Sequence, residues 1–200
     1  MIAGLLLAAG GARRFGSQKL VARLDGLPLV RHAANALASA TDSMTVVVGS
    51  EADAVRAALE GIGATMMTLM LVIENSDWAS GLSSSLRCGV ASLPREAKAV
   101  LVALGDQPRV DAEVFRRAAA MWREVGAERP IIATRYRGER GHPVVFDRSV
   151  FGELLATAGD AGARTLIDRA PERVAYLDVD VAAPRDVDSP TDLAALEGRR

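Results

Sequence analysis

A single cysteine, Cys88, stands in 200 residues, which excludes an intramolecular disulfide and any metal site built from several cysteines. There is no surplus of positive charge either. Twenty-four Lys plus Arg face 25 Asp plus Glu, a formal charge of −1, and a nucleic-acid binder would normally display a basic excess on one face. Long apolar runs are also missing. Residues 1–9 are apolar but too short to span a bilayer, and no basic leader precedes them, so a cytoplasmic protein is expected. What remains is a chain that is 50% hydrophobic, enough to close a substantial core as one domain.

The most informative stretch is LLLAAGGARRFGSQK, residues 5–19. An apolar run breaks abruptly into a small-residue loop carrying Gly10 and Gly11, then Arg13, Arg14, Gly16 and Lys19. A buried strand ending in such a loop offers backbone N–H groups without side chains in the way, followed at once by cations, an arrangement suited to a triphosphate. Two better-known phosphate loops do not fit. The dinucleotide fingerprint GxGxxG fails because Gly11 follows Gly10 directly. Gly11 and Gly16 match the Walker spacing, but Ser17 and Gln18 stand where Lys and Ser or Thr are required, and the lysine arrives late, at Lys19.

Strand-like and helix-like runs alternate along most of the chain. Strands are predicted at residues 2–8, 44–48, 67–73, 99–104 and 130–134. Helices are predicted from Pro28 to about residue 39, then at about 51–60, 81–93 and 112–125. This order predicts an α/β fold, a doubly wound and mostly parallel sheet flanked by helices, Rossmann-like, with ligands at the carboxyl ends of the strands. The loops after the first strand, the third strand and Leu104 would then share one edge. From Tyr136 the rhythm changes. Residues 136–141 read as a polar hairpin tip, 142–146 as a short strand, 148–157 as a helix, 159–164 as the opening of another, 174–179 as a late strand, and Pro190 as the start of a last helix. The chain is expected to be one domain, with residues 1–135 facing a nucleotide and residues 136–200 an acceptor.

Two carboxylates attract notice. Asp106 follows the apolar strand 99–104, with Gly105 beside it and Pro108 stopping the strand, so it can reach a triphosphate lying along the sheet edge. Magnesium takes one or two carboxylates with phosphate oxygens and water, so one such aspartate can anchor it; capping of the next helix is the competing explanation. Asp188, in DVDSPTDL, is the second candidate, although Asp188 or Ser189 could simply cap the last helix. Asp186 and Asp192 read as a solvated face and a helix contact. ENSDWASGLSSSL, residues 74–86, opens a helix with Gly81 and three serines, whose hydroxyls can read a base edge or merely cap, with Trp78 buried. GHPVVF and GDAGAR pair Gly141 with His142, and Gly159, Asp160 and Gly162 with Arg164, as candidate anion contacts. His32 and Cys88 read as structural.

Leu7, Ala8, Ala9, Gly10, Arg14, Gly16 and Lys19 fall on LAAGxSxRxGxxK, and the chain thereby resembles nucleotidyltransferases that join an NTP to a phosphorylated acceptor; Ala12 stands where that pattern has Ser. With N-x-x-W-x-x-G, DQP, GHP and GDxGAR in order from residue 2 to about 193, it resembles the molybdenum cofactor cytidylyltransferase group of the MobA-like NTP transferases. The resemblance implies transfer of CMP from CTP to the phosphate of molybdopterin, with pyrophosphate released and Mg2+ as cofactor. It implies that Leu7 to Gly11, Arg14, Lys19, Asn75, Gly81, Ser84 and Ser85 bind nucleotide. Arg14, Lys19 and Asp106 would be catalytic, Asp106 and Asp188 would hold the metal, and the GHP and GDxGAR residues would take the acceptor. Ala9, in LAAG rather than LAGG, leans toward cytidine over guanosine. A phosphate acceptor is already an anion and needs no strong base, which suits a chain with two histidines. The product would pass to a molybdoenzyme. The alternatives are a relative using GTP or another phosphorylated acceptor, and a non-catalytic nucleotide-binding carrier of the cofactor.

Overall fold

A computed structural model describes residues 1–11, 14–62, 69–160 and 162–197. Ala12, Arg13, Ala161 and the first two residues of the predicted third strand, 67 and 68, lie outside the described residues.

The apolar runs form the sheet that their pattern demands. Strands β1 (Ile2–Ala8), β4 (Ser43–Val48) and β6 (Ala99–Leu104) are almost wholly buried, as parallel strands covered on both faces must be. With β5 (Leu69–Glu74), β7 (Ile131–Tyr136), β8 (Glu139–Asp147) and β9 (Val174–Val179) they make a seven-stranded sheet in the order β5-β4-β1-β6-β8-β7-β9. Only β8 runs against its neighbours; the other pairings are parallel. Alternate residues of β1 face opposite layers. Ile2, Leu6 and Ala8 pack toward helices α1 (Leu29–Ala38), α2 (Ala52–Leu59) and α4 (Ala112–Val125). Leu5, Leu7 and Ala9 pack toward α3 (Leu82–Ala91), α5 (Phe151–Leu155) and α6 (Arg164–Arg169). The predicted doubly wound, mostly parallel architecture is therefore present.

Three departures from the predicted elements matter for the site. A small hairpin, β2 (Arg23–Leu24) and β3 (Leu27–Pro28), precedes α1, turning through Asp25 and Gly26 with φ of 50° and 83°. Two successive left-handed residues of the type Asp-Gly match the twist of a tight antiparallel turn. Strand β8 is longer than expected, beginning at Glu139, and the turn shrinks to Arg137 and Gly138. The predicted helix 148–157 is a 3-10 turn, Arg148–Val150, leading into the five residues of α5. A last helix, α7 (Pro190–Glu197), follows an irregular strap over 180–189, and Val187 of that strap is fully buried with Leu24 and Leu29. Among the described residues, no helix is long and apolar enough to cross a membrane.

Candidate active site

The sheet order places its reversal at β1, which has β4 on one side and β6 on the other. In such sheets the crevice beyond the carboxyl ends of the strands at that reversal collects ligands. Leu7 pairs in register with Leu104, and the Gly105 N–H donates to the Leu7 carbonyl at 2.9 Å, so the loops after β1 and β6 emerge side by side. Lys19 and Asp106 meet there.

After β1, Leu7, Ala8 and Ala9 are buried while Gly10 and Gly11 are exposed. A Cβ on Gly10 would have no heavy atom within 4 Å, so the backbone borders open space. Gly11 is different: a Cβ there would lie 3.0 Å from Trp78 Cζ3 and 3.1 Å from Cη2, so the loop rests directly on that ring. Trp78, expected to be buried, is only half-buried. Gln18 holds the end of the turn. Its side chain is 2% exposed, donates to the Ser50 carbonyl at 2.6 Å and accepts from the Leu20 N–H at 3.3 Å. That anchorage starts the 3-10 turn Lys19–Val21 and aims Lys19 inward.

Lys19 Nζ donates to Asp106 Oδ2 at 2.7 Å and to Asp188 Oδ1 at 2.8 Å, and Arg14 Nη2 donates to Asp188 Oδ2 at 2.7 Å. Four residues singled out in the sequence thus form one cluster. Burial alone would lower the Lys19 pKa, but the charge and hydrogen bond of Asp106, joined by those of Asp188, raise it above its usual value. Burial draws the Asp106 carboxyl upward, and Lys19 offsets this only in part, with the charge of Asp186 adding to the rise. The hydrogen bond from Lys19 holds Asp188 below the usual carboxylate range, with the charges of Lys19 and Arg14 helping. Two carboxylates sharing one ammonium can also share a divalent ion, with phosphate oxygens and water completing its shell. Among the described residues no group of three or more His, Cys, Asp or Glu side chains gathers to hold a metal. The donor set therefore fits an ion that arrives with ligands of its own.

The strap closes the site. The Val187 N–H donates to the Asp106 carbonyl at 3.0 Å, which fixes Asp188 beside Asp106. Asp186 is exposed as expected but lines the cavity, accepting from Gln107 Nε2 at 2.7 Å. Asp192 accepts from the Ser189 N–H at 2.8 Å and the Ser189 hydroxyl at 2.7 Å, a helix-start contact as predicted.

Next to the cluster is a cavity of about 910 Å³. Its apolar wall includes Val102, Val144 and Phe146, and its polar lining includes Gly141, His142, Asp160, Gly162, Arg164 and Arg185. Five of the six predicted acceptor residues therefore face one space. The sixth, Gly159, has φ of 70° and accepts the Ser83 N–H at 3.1 Å. His142 is half-buried in the cavity wall, and burial lowers its pKa to about 4, Asp186 opposing and Arg164 reinforcing the fall. That shift favours the neutral imidazole, which can still donate an N–H to an anion. Arg164 and Arg185 have no ion-pair partner among the described residues, whereas Arg140 is tied to Asp168 at 2.7 Å.

Asn75, Ser84 and Ser85 are brought together, but with one another. Asn75 Nδ2 donates to the Ser84 hydroxyl at 2.9 Å and the Ser85 hydroxyl at 3.1 Å, and all three are at least 94% buried. They brace the turn that carries Trp78. Gly81, with φ of 104°, meets the Asp160 carboxylate where its Cβ would be, and so joins this turn to the loop that carries Asp160. His32 Nε2 donates to the Leu24 carbonyl, 2.8 Å away, and Cys88 packs at the edge of the core, its thiol pKa raised by burial. Both are structural. Sequence reasoning missed Gln18, Gln107 and Arg185; the two glutamines sit inside motifs already singled out, and Arg185 carried no signal.

A parallel sheet whose reversal point presents a glycine turn, a basic pair and two aspartates defines a nucleotidyltransferase. The model of the MobA-like NTP transferase domain matches residues 4–174, and the chain belongs to that family. Rv0371c of Mycobacterium tuberculosis H37Rv is 32% identical with a TM-score of 0.83, over 100% of this chain and 99% of that one. A second structure of that protein, in complex with manganese, has 32% identity and a TM-score of 0.80 over the same shares of 100% and 99%. A nucleotidyl transferase from Methanothermobacter, 22% identical over 98% of this chain and 96% of its own, has the same fold with a TM-score of 0.80. No curated protein sequence matches the chain.

Proposed function

We propose that the enzyme transfers CMP from CTP to the terminal phosphate of molybdopterin and releases pyrophosphate. The observation that carries the reading is the Lys19–Asp106–Asp188–Arg14 cluster, set between the open Gly10 turn and the Arg164 cavity. Residues 1–135 supply the nucleotide side and residues 136–200 face the acceptor, in the cytoplasm. Asp106 and Asp188 would hold a divalent metal, Mg2+ in this reading; the manganese complex of Rv0371c supports a divalent ion. When bound, that ion neutralises charge on the α-phosphate and the departing pyrophosphate.

The chain's own residues do the rest. Backbone N–H groups of Gly10 and Gly11 would cradle the triphosphate, while Lys19 and Arg14 would counter the charge of the leaving pyrophosphate. Arg164 would hold the acceptor phosphate, whose oxygen attacks the α-phosphorus in line as the bond to the β-phosphate oxygen breaks. The attacking oxygen is already anionic, so His142 has no proton to remove; as a neutral imidazole it offers the acceptor one donor and one acceptor. LAAG supports cytidine, and GHP with GDxGAR supports molybdopterin. The test is pyrophosphate release with CTP, GTP and ATP, each with and without molybdopterin. Release is expected only with CTP and molybdopterin together. Equal release with GTP sinks the base assignment, and none with molybdopterin sinks the acceptor.

A further inference from the structure

The two carboxylates proposed to hold the metal already hold a cation. Lys19 Nζ lies 2.7 Å from Asp106 and 2.8 Å from Asp188, with its side chain 9% exposed. Arg14 occupies the other oxygen of Asp188 at 2.7 Å. Two negative charges and two positive ones leave the cluster neutral. A divalent ion entering alone would add two positive charges beside two cations, and Lys19 at least is shielded from the water that screens the exposed Arg14. A triphosphate reverses that balance. Its oxygens give Lys19 and Arg14 new anionic partners at the moment the carboxylates turn to the metal. Gln18 anchors the backbone of the turn, so the exchange needs movement only of the long Lys19 and Arg14 side chains.

We propose that Lys19 is the resident counter-ion of the Asp106–Asp188 pair and keeps a divalent metal out until a nucleoside triphosphate arrives, so that metal and nucleotide enter as one unit. This rests on the metal reading of those two aspartates and adds an order of binding to it. It also gives Lys19 two successive partners, carboxylates in the resting enzyme and phosphates in the loaded one.

The test is Mn2+ binding without nucleotide, followed by water-proton relaxation, in the wild type, Lys19→Met, Lys19→Gln and Lys19→Met combined with Asp106→Asn. Removing the ammonium is expected to tighten Mn2+ binding at least about tenfold, and Mn2+ is expected to raise the Tm of the Lys19 variants far more than that of the wild type. The wild type alone is expected to bind Mn2+ more weakly than about 0.1 mM, the range of undemanding cation sites. Tighter binding by the wild type overturns the proposal even if neither Lys19 variant folds. Equal affinity in the wild type and both single variants overturns it too and leaves the carboxylate reading standing. Tight binding that survives in the double variant removes Asp106 as the metal ligand, and the proposal falls with that reading.

Discussion

The two walls of one cleft treat charge in opposite ways. On the wall proposed to bind nucleotide, Arg14 and Lys19 are both paired with aspartates, and the Lys19 side chain is only 9% exposed. On the wall proposed to take the acceptor, Arg164 and Arg185 face the cavity without an ion-pair partner among the described residues. The difference follows from what each wall must do at rest. A buried cation cannot persist without an anion, so the nucleotide wall carries its own, while cations at a wet rim are stabilised by water until a phosphate displaces it. The nucleotide wall is therefore the more sensitive to loss of a partner.

The largest effect that would sharpen this contrast comes from Asp106→Asn. Pyrophosphate release is expected to fall by at least about 10²-fold, the scale of losing one preorganised electrostatic group, while CTP binding partly survives in equilibrium dialysis. Unchanged turnover would remove Asp106 from the chemistry. Next is Arg164→Ala, expected to raise KM for the acceptor by about tenfold or more, as for loss of one charge-assisted hydrogen bond, without changing CTP affinity. A defect in CTP binding instead would erase the distinction between the walls.

A smaller change probes the nucleotide wall alone. Gly11→Ala presses a methyl group onto Trp78, and a shift of the turn costing about 1 kcal/mol would weaken CTP binding roughly fivefold, leaving KM for the acceptor alone. Affinity equal to the wild type would show that the ring gives way freely. The smallest effect belongs to His142. Its pKa falls from 6.5 to about 4 on folding, so the unfolded chain binds more protons throughout that window. Its contribution is complete above pH 6.5 and is lost as the pH drops toward 4, with a slope of no more than about 1.4 kcal/mol per pH unit. His142→Gln should flatten the decline of Tm across that window, and an unaltered slope would mean that His142 is not held neutral.

Much of this was legible in the sequence. The unbroken apolar run of β6 and the three-and-four spacing of Leu82, Leu86 and Val90 in α3 admit one interpretation each, and both elements fall within the predicted residues. The β2–β3 hairpin was not legible, because two-residue strands carry no periodicity. The start of β8 was lost because its tip residues are polar and exposed, so no alternation marks them. Lys19, Asp106 and Asp188 were each identifiable by motif, but not their mutual contact, which needs the strap to return beside β6. The Asn75 network shows the opposite limit. Serines at a helix start suit a ligand or a cap equally, and only the fold reveals that here they satisfy a buried amide.

The reversed strand β8 has a consequence for how such enzymes diversify. A strand antiparallel to its neighbours begins where they end, so Gly141 and His142 sit at the mouth of the cleft, and residues 144–147 hold the register with β6. Lengthening or rewriting the tip around Arg137 and Gly138 would leave those four pairings and the β1–β6 ladder untouched. Under the proposed function, selectivity for a new phosphorylated partner would be available by loop grafting, with the Lys19–Asp106–Asp188 cluster inherited intact.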